Sequence, residues 1–104
     1  MKDRIGGFKH PGDQERLYAL YDALAAEVWP VPAEELDVET SFGTTHLRRS
    51  GPAEGTPIVL IHPSSATSIG WYRLVEPVAA HHPVIALDTI GTAGRSIQTK
   101  PVTR

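Results

Sequence analysis

Two short apolar runs, Ile58-Val59-Leu60-Ile61 and Val84-Ile85-Ala86-Leu87, constrain this chain more than anything else in it. Each follows a proline, Pro57 or Pro83, and each is continuous rather than alternating, the pattern of a strand covered on both faces. Between them Trp71, Leu74, Val75 and Val78 fall at helical spacing. Pro77 places the start of the main helix near Glu76, after a preliminary turn. Strand, helix, strand is the pattern of a right-handed parallel crossover, so the fold class is α/β.

The segments before the crossover have other periods. His10-Pro11-Gly12 ends an N-terminal arm at a turn, and a helix follows. Asp13 is placed to accept first-turn N–H groups, and Leu17, Leu20, Tyr21, Leu24 and Val28 form its apolar stripe. Pro30 and Pro32 end it. From Leu36 to Ser50 the chain turns to Val, Thr and alternating polar residues around Gly43, which predicts a half-exposed hairpin, Asp37 to Phe42 and Thr44 to Arg49. Residues 50–55 read as a surface loop. The organisation expected is an arm and helix over 1–35 and a core over 36–104.

Length allows about one small domain, and composition narrows what it does. Ten Lys and Arg against twelve Asp and Glu leave a net charge of −2, which gives no electrostatic footprint for nucleic acid or anionic lipid. The longest apolar run is far too short to span a bilayer. With no cysteine there is no disulfide framework, thiol nucleophile or thiolate metal site. The first ten residues lack the apolar centre of a secretory signal, so the cytosol is the expected compartment.

Counting faces exposes a deficit. A parallel sheet needs helices on both sides, and this chain offers one crossover helix and the N-terminal one. The sheet is therefore expected to be incomplete alone, with one apolar face bare and covered by a complementary polypeptide, as a hetero-oligomer, or by a removed remainder of this chain.

The segments after the two apolar strands carry the remaining signal. They read His62-Pro63-Ser64-Ser65-Ala66-Thr67-Ser68-Ile69-Gly70-Trp71 and Asp88-Thr89-Ile90-Gly91-Thr92-Ala93-Gly94-Arg95-Ser96. From about Leu36 to Thr99 this order resembles the N-terminal part of the α/β-hydrolase family. There a hairpin leads to an apolar strand ending in His-Gly, then a loop, a Trp-led helix, another apolar strand and an Asp-x-x-Gly-x-Gly-x-Ser-type loop. The N-terminal helix with its Trp29-Pro30-Val31-Pro32 exit resembles a carboxylesterase-like bacterial subgroup.

The resemblance implies an oxyanion hole in the loop after His62, made by the backbone N–H of Ser64 as first choice and of Ser65 as second. Fixed N–H donors stabilise the negative charge that acyl transfer builds on a carbonyl oxygen. Pro63 stands where the family has glycine and has no N–H. The alternative is a polar loop whose hydroxyls satisfy local backbone groups. His62 reads as a structural hydrogen-bonding residue, and Asp88, ending a buried strand, as a support for the Gly-rich loop rather than a reacting group.

Other candidates fail on their spacing. Ala66-Thr67-Ser68-Ile69-Gly70 spells a nucleophile elbow but is separated from its strand by Pro63 to Ser65, and no histidine follows Ser68 at the family's later position. Gln98 is too large for Gly94-Arg95-Ser96-Ile97-Gln98 to be one. Gly91 and Gly94 make no full phosphate-binding motif. His81 and His82 are neighbours, sharing no helical face, while His10 and His46 show no partner, so no metal site is expected. No cofactor is implied.

The function expected is serine-type hydrolysis of a small ester or related acyl compound, with nucleophile, acid and base on a missing or partner chain. The alternatives are a non-catalytic scaffold and a non-hydrolytic member such as a cyclase or acyltransferase.

Overall fold

Prolines, glycines and the period of the apolar residues divide the chain as the structure does. The computed structural model describes residues 10, 12–63, 66–90 and 94–100. Helix α1 spans Asp13–Val28, followed by strands β1 (Ala33–Thr40) and β2 (Gly43–Ser50) of the hairpin and β3 (Ile58–Ile61). A 3₁₀ helix over Ser68–Arg73 then leads into α2 (Val75–Ala79), β4 (Val84–Leu87) and a two-residue β5 (Ile97–Gln98). Among the described residues no helix is long and apolar enough to cross a membrane.

The crossover is present, with β3 and β4 parallel and in register from Ile58↔Val84 to Ile61↔Leu87. Strand order in the sheet is β1-β2-β4-β3, and β2 meets β4 antiparallel from Leu47↔Leu87 to Ser50↔Val84. Pro77 lies in the first turn of α2, where its missing N–H costs nothing. The preliminary turn is the 3₁₀ helix, begun by Thr67, whose side chain accepts from the N–H of Ile69.

Several boundaries differ from the sequence reading. The hairpin strands begin and end outside the expected limits, Phe42 lies in the turn, and every residue of β1 is exposed. The N-cap of α1 is Gly12, while Asp13 accepts from the backbone N–H of His10 at 3.0 Å and pairs with Arg16. Leu20 and Leu24 are exposed, and the face that docks carries Tyr21, Ala25 and the partly buried Val28 against Ile69. That side carries the small Ala25, which allows close approach, and Tyr21, which finds buried polar partners. Leu74, counted with the inward residues of the crossover helix, is exposed at the junction of the 3₁₀ helix and α2.

Register fixes which side chains share a face, because successive residues of a strand point opposite ways. One face carries the rows Ala33–Ser50–Val84–Ile58 and Glu35–Arg48–Ala86–Leu60. Val84 packs there on Val75 and Ala79, with Trp29 and Val31 from the exit of α1 against the same cluster. The other face carries the rows Leu36–Leu47–Leu87–Ile61 and Glu34–Arg49–Ile85–Val59. Val59 and Ile61 are exposed on this side, and among the described residues no helix packs there.

Strand β5 was not expected. It pairs antiparallel with the start of β2 through Gly43↔Gln98 and Thr44↔Ile97, and the N–H of Thr99 donates to the Phe42 carbonyl at 2.7 Å. Gly43 makes this possible. Its φ is +139°, and a Cβ there would stand 1.9 Å from the Ile97 carbonyl oxygen. Gly43→Ala is expected to displace β5 and cost about 2 kcal/mol in urea unfolding, with lost amide protection at Thr99.

Candidate active-site scaffold

Parallel strands that end together deliver their next residues side by side, and here Ile61 and Leu87 are paired, so His62 and Asp88 emerge at one edge of the sheet. Both are buried.

His62 ties the two loops together. The backbone N–H of Thr89 donates to its Nε2 at 3.0 Å, which makes Nε2 the acceptor and puts the ring proton on Nδ1. Nδ1–H donates to the Pro63 carbonyl at 2.6 Å, and that carbonyl also accepts from the N–H of Ala66 at 3.0 Å. The Thr89 hydroxyl lies 3.2 Å from Nε2. The imidazole thus links the start of one loop to the start of the other.

Asp88 is the hub. Its Oδ1 accepts from the N–H of Ser68 at 2.8 Å, and its Oδ2 accepts from the Tyr21 hydroxyl at 2.8 Å and the N–H of Arg95 at 2.9 Å. Its backbone N–H donates to the His46 carbonyl, and the Ser96 hydroxyl donates to its carbonyl. Gly94 is pressed onto the carboxylate, where a Cβ would meet Asp88 Cγ at 2.4 Å. One fully buried carboxylate therefore organises α1, the 3₁₀ helix and the segment leading into β5.

Tyr21 was read as an apolar residue of the helix stripe, and its hydroxyl proves to be the link from α1. It lies 3.1 Å from the Ser68 hydroxyl and accepts from Arg48 Nη2 at 3.3 Å. Burial pushes the phenol up to about 12, with the Asp88 charge adding and the Ser68 and Arg48 hydrogen bonds opposing. The folded chain holds this proton more tightly than the unfolded one, whose phenol titrates near 10.0. The resulting stability is complete below pH 10 and is lost as pH rises toward 12. The loss is on the order of 2–3 kcal/mol. Tyr21→Phe is expected to lack this alkaline loss while costing about 1–2 kcal/mol at pH 7, measured by urea unfolding across pH.

A second polar cluster joins α1 to the hairpin. His46, expected to stand alone, is buried with Nδ1 2.7 Å from Asp37 and Nε2 3.0 Å from Glu35. The register supplies these partners, since Asp37 lies opposite His46 and Glu35 opposite Arg48. Arg48 reaches Glu35 at 3.3 Å and stacks over the rings of Trp29 and Tyr21. Farther along, Arg95 grips the Asp22 carboxylate through Nε at 2.9 Å and Nη2 at 2.6 Å. That hydrogen bonding is the main reason Asp22 is held below the usual carboxylate range and Arg95 above its own. The signal for the hairpin pairs was present, acidic residues at 34, 35 and 37 facing basic ones at 49, 48 and 46 about a turn. Nothing in the sequence marked Tyr21 or Arg95.

Ser64 and Ser65, expected to donate to an oxyanion, lie outside the described residues, as does Gly91. Pro63 is exposed beside them. Ser68 is fully buried with its hydroxyl against Tyr21, and among the described residues no serine hydroxyl is bonded to a histidine ring. His82 donates from Nδ1 to the Thr56 carbonyl at 3.2 Å. Among the described residues no three His, Asp or Glu side chains converge as metal ligands would.

No family model matches the chain. It is 33% identical over 82 residues to carboxylesterase YbfK of Bacillus subtilis, a match covering 79% of this chain and 27% of that protein. The crystal structure of naproxen esterase from the same organism superposes with a TM-score of 0.80 at 30% identity, over 88% of this chain and 32% of the other. That of carboxylesterase CesB (YbfK) gives 0.79 at 31% identity, over 83% and 30%. The chain thus spans under a third of the length of the relatives it matches. The chain belongs to the α/β-hydrolase family, as an N-terminal part of that fold on its carboxylesterase-like bacterial side.

Proposed function

We propose that this chain is the N-terminal portion or subunit of a cytosolic serine-type hydrolase acting on a small ester or related acyl compound, without a cofactor. It contributes the oxyanion loop, and the nucleophile, acid and base lie on the missing remainder of the sequence or on a partner chain. The observation that carries this reading is that His62 and Asp88, following the paired ends of β3 and β4, bond the residues on either side of Ser64 and Ser65, Pro63 and Ser68.

In this reading the Ser64 N–H, with that of Ser65 beside it, receives the charge that develops on the substrate carbonyl oxygen when the nucleophilic serine attacks. His62 and Asp88 do not touch substrate; they hold the loop from its two ends, His62 through the Pro63 carbonyl and Asp88 through the N–H of Ser68. A donor that needs no reorganisation during reaction is worth more than one that must be brought into place.

The test uses a fluorophosphonate probe, intact-mass analysis and p-nitrophenyl acetate turnover. The isolated chain is expected to take no label and turn over nothing. Material in which a second polypeptide travels with it is expected to hydrolyse the ester and be labelled on that second polypeptide. An adduct on Ser68 of this chain would overturn the assignment. Pro63, which removes an N–H at the head of the loop, favours a second reading, a non-catalytic scaffold. Under it the assembled material binds no probe.

A further inference from the structure

Helix α1 precedes the stretch from about Leu36 to Thr99 that carries the family resemblance, yet one of its turns reaches the base of the candidate loop. Tyr21 is 5% exposed, and its hydroxyl meets three polar groups. A phenol has one proton to give. That proton goes to Asp88 Oδ2, the charged acceptor, at 2.8 Å. The Ser68 hydroxyl, at 3.1 Å, is therefore the donor in its contact with Tyr21, as Arg48 Nη2 is at 3.3 Å.

Ser68 is held twice by this arrangement. Its N–H donates to Asp88 Oδ1 at 2.8 Å, and its hydroxyl donates to the phenol that fixes Oδ2 of the same carboxylate. A carboxylate turning about its Cβ–Cγ bond moves both oxygens together, so whatever holds Oδ2 also aims Oδ1. The other group on Oδ2, the Arg95 N–H, belongs to a segment that α1 itself grips. Asp22 holds the Arg95 guanidinium, and the Tyr18 hydroxyl donates to the Arg95 carbonyl at 3.3 Å. Tyr18, Tyr21 and Asp22 stand at i, i+3 and i+4, on one side of the helix.

We propose that Tyr21 is a positioning residue for the oxyanion loop: through its hydroxyl, α1 fixes Ser68 and with it the downstream end of the loop. This rests on the reading that Ser64 and Ser65 supply the oxyanion donors, and it adds the element that anchors them from behind. Upstream, His62 and the Ala66 N–H both bond the Pro63 carbonyl. Downstream, Ser68 follows Ser65 by three residues, a span of at most about 10 Å, so movement at Ser68 is passed to the donors with little slack. Packing against Ala25 and Ile69 asks only for the aromatic ring, which phenylalanine also supplies. The hydroxyl is the part that positions.

The test compares Tyr21→Phe, which keeps the ring, with Val28→Ala, which loosens α1 against the same cluster and leaves the hydroxyl network intact. In amide hydrogen exchange of this chain, the Ile58 N–H, bonded to the Pro83 carbonyl, reports stability alone. Normalised to it, the Ser68 and Arg95 amides are expected to exchange at least about tenfold faster in Tyr21→Phe than in Val28→Ala. In assembled, ester-hydrolysing material, Tyr21→Phe is expected to lower kcat about tenfold with KM within about twofold, because a loosened donor weakens transition-state stabilisation more than substrate binding. Val28→Ala is expected to keep the parent's rate. Ser68 exchange that follows Ile58 in every variant would overturn the proposal, as would an unchanged kcat in Tyr21→Phe or an equal fall in Val28→Ala. Parent material without turnover would instead count against the hydrolase reading, and the exchange rates would then decide by themselves whether α1 anchors the loop.

Discussion

Asp88→Ala is expected to destabilise the chain by about 4 kcal/mol, enough to leave much of it unfolded at room temperature. The carboxylate is fully buried and accepts from the N–H groups of Ser68 and Arg95 and from the Tyr21 hydroxyl. Alanine strands the two backbone donors in a place water does not reach, at about 1–3 kcal/mol each, and leaves a small cavity beside Gly94. Tyr21 keeps the Ser68 hydroxyl, so its share of the loss is smaller. Asp88→Asn retains one acceptor oxygen but turns an NH₂ toward groups that themselves donate, and about 2 kcal/mol is expected. Urea unfolding followed by tryptophan fluorescence measures both. A cost below 1 kcal/mol for alanine would mean that water fills the place of the carboxylate and that Asp88 is not the hub.

The second large effect concerns activity. In assembled, ester-hydrolysing material, Ser64→Pro removes the N–H proposed as the first-choice oxyanion donor and is expected to lower kcat about 10²–10³-fold with little change in KM, as loss of one such donor does. Ser64→Ala keeps the N–H and is expected to stay within a few-fold of the parent, which separates the backbone group from the hydroxyl. Ser65→Pro giving the larger loss would exchange the order of the two donors. Equal rates for all three variants would remove the oxyanion role from this loop and leave the scaffold reading.

How much was legible in the sequence depends on the range of the interaction involved. Strands β3 and β4 coincide with their apolar runs because four consecutive branched or apolar residues after a proline have few other conformations to choose from. The 3₁₀ helix and α2 followed from Pro77, whose ring forbids an earlier helix interior. The inward face of α1 differs from the apolar stripe because hydrophobicity alone favours Leu20 and Leu24, whereas the docked side is selected by Tyr21, which the buried Asp88 and Ser68 can satisfy. His46 shows no partner in the sequence because its partners lie nine and eleven residues away, while the hairpin register places them across one strand.

The sequence by itself determined the α/β class, the parallel crossover and the place where the candidate loop begins. These follow from local period, proline and glycine, which act over a few residues. Only the tertiary structure decided that one carboxylate gathers α1, the 3₁₀ helix and the segment before β5, that β5 exists, and which side chains stand on each face of the sheet. Those features depend on groups as far as 67 residues apart, and a buried polar atom is satisfied by whatever the fold brings within about 3 Å, which no local pattern encodes.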